Sequence, residues 1–320
     1  MTSQTDTAAT DVAANTTTTA TDNATGTTRP PVSTTRPNRR RRHGGPLDTP
    51  PVLKILTYAA LVIGILAFLA PFVIMLSNSL KTQGDLLANP TSLLPKTLTF
   101  ENYLEWFTKL GIPQFFFNSV LVAVCTVVGN VIFCSMVGYA LAKMDFPGKR
   151  LLFILVMITL MTPGTVTFVP LFVLVSKLGL VNTYPGLFLP FLVTPLGVFL
   201  MRQFMIGIPD ALMEAARIDG ASEFGIFRRI VLPLCGAPIA TLSILTFLGS
   251  WNNFLWPLVA AQSESTYTLP IALSLFSKGQ EATNYSLLLA GTVLVVLPII
   301  ILFLALQRYF VASVVSSGVK

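Results

Sequence analysis

The 320-residue chain is 53% hydrophobic and only 11% charged, less than half the charged share of about 25% usual in soluble domains, which excludes a water-soluble globular protein. Its formal charge of +7 would suit a nucleic-acid binder, but the distribution of that charge along the chain argues against one. Three cysteines, Cys125, Cys134 and Cys235, sit in apolar stretches with neither disulfide nor metal-ligand spacing. The single histidine, His43, lies in a polar tail, so His-based catalysis and His-rich metal sites have no basis. No catalytic residue, metal or cofactor is expected.

Residues 1–50 hold fifteen threonines, five prolines and no Phe, Tyr or Trp. Such a segment buries too little apolar surface to offset the entropy of ordering, and a disordered cytoplasmic tail is expected, followed by a membrane domain over 51–320. The tail does not resemble a secretory signal, because its first apolar run starts only near Ile55. The run Arg39 to Arg42 suits a topology signal better than an anionic-lipid or nucleic-acid patch.

From Ile55 onward six apolar runs are long enough to cross about 30 Å of hydrocarbon: 55–76, 117–142, 151–172, 185–206, 237–259 and 286–306. The predicted fold class is all-α, a polytopic membrane protein of six transmembrane helices. Pro163, Pro170, Pro190 and Pro195 should kink the third and fourth spans. Placing the N-terminus inside leaves only Lys81, Lys96, Lys109, Lys177 and Lys278, of 21 basic residues, outside. By the positive-inside tendency both termini should then be cytoplasmic. The first outer loop, 77–116, should carry short amphipathic helices.

The inner loop between spans four and five reads PDALMEAARIDGASEFGIFRRIVLP. Ala211, Leu212, Ala215 and Ile218 recur at helical spacing, with Glu214 and Arg217 on another side. Asp219-Gly220 signals a turn, and Phe224, Phe227 and Val231 form a second helical stripe ending at Pro233. A helix-turn-helix knob held between two spans suits docking into a groove of a soluble partner.

The spacing Glu214-Ala215-Ala216, three residues, Gly220, nine residues, Ile230-x-Leu232-Pro233 resembles the coupling loop of permease subunits of binding-protein-dependent ATP-binding-cassette importers. The segment Trp251 to Leu258, Gln307-Arg308-Tyr309-Phe310 and Gly318-Val319-Lys320 look like the maltose-permease-type, carbohydrate branch. The resemblance covers roughly 50–320. It implies a bacterial cell-membrane complex of this chain with a homologous partner permease, two ATPase subunits and an extracytoplasmic solute-binding protein, moving a sugar or oligosaccharide through lipid, with no nucleic acid involved. It also implies that Glu214 accepts a bond from a basic group on the ATPase, with Ala215, Ala216, Arg217, Asp219, Gly220, Ile230, Leu232 and Pro233 completing the contact. An exposed ion pair is worth only about 0–1 kcal/mol, so apolar contact by Ala215, Ala216 and Ile218 should carry most of the docking.

No stretch matches G-x-x-x-x-G-K-[ST], so ATP hydrolysis is expected on a separate polypeptide. Nor does an acidic residue fall within the six spans, which weakens an ion-coupled secondary carrier, the rival reading, without removing it. An importer of a non-sugar solute is the nearer rival. Asn252 and Asn253 lie inside the expected fifth span, where an unpaired amide costs several kcal/mol. They line the translocation route or bond neighbouring helices. Asn118 and Asn130, and Thr159, Thr162 and Thr165, have weaker claims on that route. Trp251 and Trp256 suit interfacial or packing aromatics better than a sugar platform. The outer loop 261–285 is a solvated connector or a contact for the solute-binding protein.

Overall fold

The computed structural model describes residues 51–277 and 284–318, and side chains from Val52 to Ser277 and from Asn284 to Ala305. The tail with Arg39 to Arg42, the side chains of Gln307 to Phe310, Val319, Lys320 and most of the polar run 277–284 lie outside the described residues. Contacts divide the chain inside its first helix, α1 (Pro51–Ser79), at Ala59. In the first unit the described side chains, among them Ile55 and Tyr58, are exposed along the helix.

The second unit continues with α2 (Gln83–Ala88), α3 (Glu101–Thr108) and α4 (Ile112–Lys143), a helix of 32 residues. Helices α5 (Lys149–Met161), α6 (Gly164–Lys177), α7 (Tyr184–Phe191), α8 (Pro195–Ile206) and α9 (Ala211–Ile218) follow. Then come α10 (Glu223–Leu234), α11 (Gly236–Trp251), α12 (Leu255–Ala260), α13 (Leu269–Phe276) and α14 (Tyr285–Gly318). The described residues contain no strand.

Three helices, α1, α4 and α14, are each long and apolar enough to cross a membrane. The other expected spans are bent pairs: α5 with α6 by 106°, α7 with α8 by 42°, and α10 with α11 by 80°. Among the described residues the expected six spans thus correspond to three continuous helices and up to three broken ones; the breaks in the third and fourth fall among the prolines expected to kink them, and the break in the fifth was not expected. The 106° break follows from Pro163, which holds Thr162 extended at ψ 124 and supplies no N–H for the turn before it.

The fifth expected span, 237–259, also ends early. Helix α11 stops at Trp251, and Asn253 Oδ1 accepts the Trp256 N–H at 3.3 Å to begin α12. Pro257 sits in that first turn, where its missing N–H costs nothing; in a continued α11 it would break the ladder. Asn252 and Asn253 thus occupy a helix junction instead of a helix interior.

Within the second unit, helix α4 contributes to all three buried clusters. Around its C-terminal end Cys134, Tyr139 and Leu141 form one buried cluster with Met201, Met205, Met213, Ile226 and Phe227. Around its N-terminal half Ile112, Phe115 and Ala123 cluster with Trp106, Trp251 and Leu269. A third cluster joins Val122 to Val175, Leu187 and Trp256. Trp251 and Trp256 are buried packing residues, their indole N–H groups donating to the carbonyls of Val295 and Gly186.

The loop after α12 is not a bare connector. Asn182, at φ 60, donates its N–H to the Ala260 carbonyl. Its Oδ1 accepts from Gln262 N at 2.9 Å, Ser263 N at 3.0 Å, Ser263 Oγ at 3.0 Å and Thr266 Oγ1 at 2.6 Å. Left-handed backbone is tolerated by asparagine better than by most residues, so one side chain can organise the whole turn. Ser119 Oγ then accepts the Leu269 N–H at 2.7 Å, seating α13 against the N-terminal half of α4.

Candidate functional site

The 209–233 segment forms the predicted knob. Helix α9 buries Met213 and Ala216 and leaves Leu212, Glu214, Ala215 and Ile218 exposed, Ile218 to 86%. The amphipathic stripe read from the sequence is thus the outward face. Ala216, expected in the docking contact, is turned into the core instead.

The end of α9 is set by backbone chemistry. Gly220 has φ +80, its N–H donates to the Arg217 carbonyl at 3.0 Å, and the Ala221 N–H donates to the Ala216 carbonyl at 2.9 Å. These are the two bonds of a Schellman turn, which needs a left-handed residue and favours glycine. Ser222 Oγ then accepts the Gly225 N–H and caps α10. Within α10 the residues Phe227 to Val231 form a π-helical stretch, with Ile230 and Leu232 half-buried and Pro233 exposed after it. Between the helices lies a hollow of about 590 Å³ lined by Ala216, Asp219, Gly220, Phe224, Arg228 and Arg229.

Two polar links tie this knob to the C-terminal end of α4. Lys143, its side chain 4% exposed, donates from Nζ to the Ile208 carbonyl at 2.6 Å, the Ile206 carbonyl at 3.4 Å and Asp210 Oδ1 at 2.7 Å. Four residues earlier, Tyr139 donates its hydroxyl to Glu223 Oε2 at 2.9 Å, while Glu223 Oε1 accepts from Arg217 Nε at 2.7 Å. The Lys143 bond holds the Asp210 carboxyl below the usual carboxylate range, and the Glu223 carboxylate holds the Arg217 guanidinium above its ordinary value. Glu214 is exposed, and the ion pairs among the described residues do not include it.

Glu223, Tyr139, Lys143 and Asp210 were not singled out in the sequence. Tyr139 and Glu223 are 84 positions apart, and Lys143 at the end of an apolar run reads as an ordinary charge flanking a span. A cap residue followed by a carboxylate in the first helical turn, Ser222-Glu223, was a local signal available.

At the other end of α4, Asn118 Nδ2 donates to the carbonyls of Ser265 and Tyr267, and its Oδ1 accepts from Tyr184 at 2.8 Å and Gln114 at 3.1 Å. All four bonding positions of the amide are used within the chain. Asn130 likewise clamps Phe191 and Thr194 at the α7–α8 break. Asn253 reaches a cavity of about 350 Å³, lined also by Thr126, Phe191, Thr194, Thr246 and Ser250. Asn252 is exposed and outside that lining, and Thr159 and Thr162 return their hydroxyls to their own helix. No group of His, Cys, Asp and Glu among the described residues could hold a metal.

Comparison with known proteins adds relatives to this geometry. The family model described as "Binding-protein-dependent transport system inner membrane component" matches residues 134–316. The chain is 46% identical to an arabinooligosaccharides transport system permease protein of Halalkalibacterium halodurans, over 80% of this chain and 93% of that one. It is 33% identical to an sn-glycerol-3-phosphate transport system permease protein of Salmonella typhi, over 83% of this chain and 97% of the other. Among solved structures, a bacterial ABC transporter involved in import of the acidic polysaccharide alginate matches with a TM-score of 0.72 and 25% identity, covering 81% of this chain and 96% of that one.

Proposed function

The chain belongs to the family of binding-protein-dependent transport system inner membrane components, and from that membership we propose that it carries a sugar or oligosaccharide inward while coupling to ATP hydrolysed elsewhere. It is a membrane-spanning permease subunit of an ABC importer, and the ATPase resides on a separate subunit. Its partners in this reading are a homologous permease, two ATPase subunits and an extracytoplasmic solute-binding protein. The knob at 209–233 docks into the ATPase, Glu214 meeting a basic group and Ala215, Leu212 and Ile218 supplying apolar contact. Transport then follows a two-state equilibrium, in which ATP-driven closure of the ATPase pair moves the knob and with it the spans.

The observation that supports this most is the length of α4 between its two attachments. Asn118 holds the 265–267 turn and Tyr139 holds the knob. At 1.5 Å per residue they lie about 30 Å apart, one hydrocarbon thickness. A knob facing the cytoplasm and a turn facing the solute-binding protein fit that spacing. The proposed solute path narrows to the cavity at Asn253, because Asn118 has no bond left to offer.

Uptake of radiolabelled sugars by a strain lacking this chain tests the reading. At least one oligosaccharide should fail to accumulate, recover when the chain is restored, and fail again when the ATPase loses its phosphate-binding lysine. Undiminished uptake across sugars, with loss of a phosphorylated polyol instead, would move the solute class. Uptake that survives loss of the ATPase would sink coupling. Orientation is checked separately: a reporter active only in the cytoplasm should work when inserted in 209–230 or fused after Lys320 and fail in 261–268. Activity in 261–268 would overturn the assigned topology.

A further inference from the structure

We propose that Glu223 is the hub through which movement of the docked knob reaches α4 at the positioning residue Tyr139, with Asp210 and Lys143 forming a second, separate link to the same helix. The inference rests on the reading of 209–233 as the ATPase-docking segment and adds the route by which its motion leaves the knob.

Helix α9 is gripped at both ends. At its start, Asp210 is paired with Lys143, which also holds the carbonyls of Ile206 and Ile208 that lead into it. At its last turn, Arg217 is held by Glu223, and the second oxygen of the same carboxylate takes the Tyr139 hydroxyl. One carboxylate therefore joins α9, α10 and α4. Tyr139 and Lys143 are four residues apart and so lie on one face of α4. A slide or roll of α9 along the knob must pull on that face at two points. The Tyr139 ring is also seated against Phe227, with centroids 5.3 Å apart, so the hydroxyl is aimed by packing rather than by the bond alone.

Helix α4 suits the role because it is unbroken. Its one proline, Pro113, lies in the first turn, whereas α10 and α11 bend by 80° at Cys235, next to the knob. Displacement entering α10 would be absorbed at that bend. Displacement entering α4 travels its full length to Asn118 and Ser119, which hold the 265–269 turn. The Arg217 and Glu223 side chains are 43% and 42% exposed, so their pair adds little static stability. Its loss should therefore show in coupling more than in abundance.

The test uses the complete importer in proteoliposomes, with ATP hydrolysis and solute uptake measured together. Tyr139→Phe keeps the ring on Phe227 and removes only the hydroxyl; Glu223→Gln keeps shape and removes the charge. Each should lower solute moved per ATP by about fivefold, the scale of one lost ordinary hydrogen bond, while the ATPase still co-purifies and still hydrolyses ATP. The double variant should be no worse than Glu223→Gln, because both changes break one linkage. An unchanged ratio in both single variants, additive losses in the double, or hydrolysis falling in step with uptake would overturn the proposal. A wild-type chain that retains no ATPase would sink the docking reading first, before the variants are compared.

Discussion

Gly220→Val should cut ATP-dependent uptake by about tenfold or more while the protein still reaches the membrane at near-normal abundance. At φ +80 a β-branched residue is strained wherever it sits, with a cost of about 1–3 kcal/mol. No neighbouring atom lies within 4 Å of an added Cβ, so nothing in the core resists the change and relief comes by unwinding the turn. That unwinding breaks the bonds from Gly220 N to Arg217 O and from Ala221 N to Ala216 O. Arg217 then moves relative to Glu223, and the outward face of α9 loses its angle. The spans keep their apolar surfaces, so insertion should survive. Glu214→Lys should be milder, because a single exposed pair is worth only about 0–1 kcal/mol. Co-purified ATPase, membrane abundance and uptake in vesicles separate these effects. Normal uptake by Gly220→Val at normal abundance would remove the turn from the mechanism.

The knob was legible because its signals are local. Asp219-Gly220 announces a turn through backbone chemistry, and Gly220 does adopt positive φ. The stripe of Leu212, Ala215 and Ile218 was also correctly periodic. Periodicity shows that a helix has an apolar face and not which way that face points, and here Met213 and Ala216 take the core. The prolines likewise announced bends without their size. A bend of 106° at Thr162 depends on what α5 and α6 each pack against, which no window of sequence contains.

The parts that were not legible are pairings across long separations. Asn252 and Asn253 looked like amides buried in a span, because a helix was assumed to continue through them. Their real setting is a junction, where Asn253 caps α12 and faces the 350 Å³ cavity. Asn182 showed no signal at all, yet its carbonyl oxygen gathers four donors from the 262–266 turn. Glu223 falls in the same class. Its pair with Arg217 spans only six residues, but its bond to Tyr139 crosses 84 positions and exists only after α4 and α10 have packed.

That packing is itself open to test at Gly138. An added Cβ there would stand 2.8 Å from Met201 Cβ and 3.1 Å from the Arg202 backbone nitrogen. Neither atom is the far end of a flexible chain, so α4 and α8 must move apart for any larger residue. Close approach at small residues is a usual way for membrane helices to gain contact, since hydrocarbon gives them no hydrophobic drive to associate. Overpacking of this kind typically costs about 1–3 kcal/mol. Gly138 also sits beside Tyr139 and five residues before Lys143, so separation of the helices would pull both links off the knob. Gly138→Val should therefore lower membrane abundance several-fold and leave the remaining protein defective in uptake per molecule. Gly64→Ala, in α1 with nothing within 4 Å of the new Cβ, should leave abundance unchanged. Wild-type abundance and uptake in Gly138→Val would mean that α4 and α8 are not held at this distance, and the route from knob to α4 would lose its foundation.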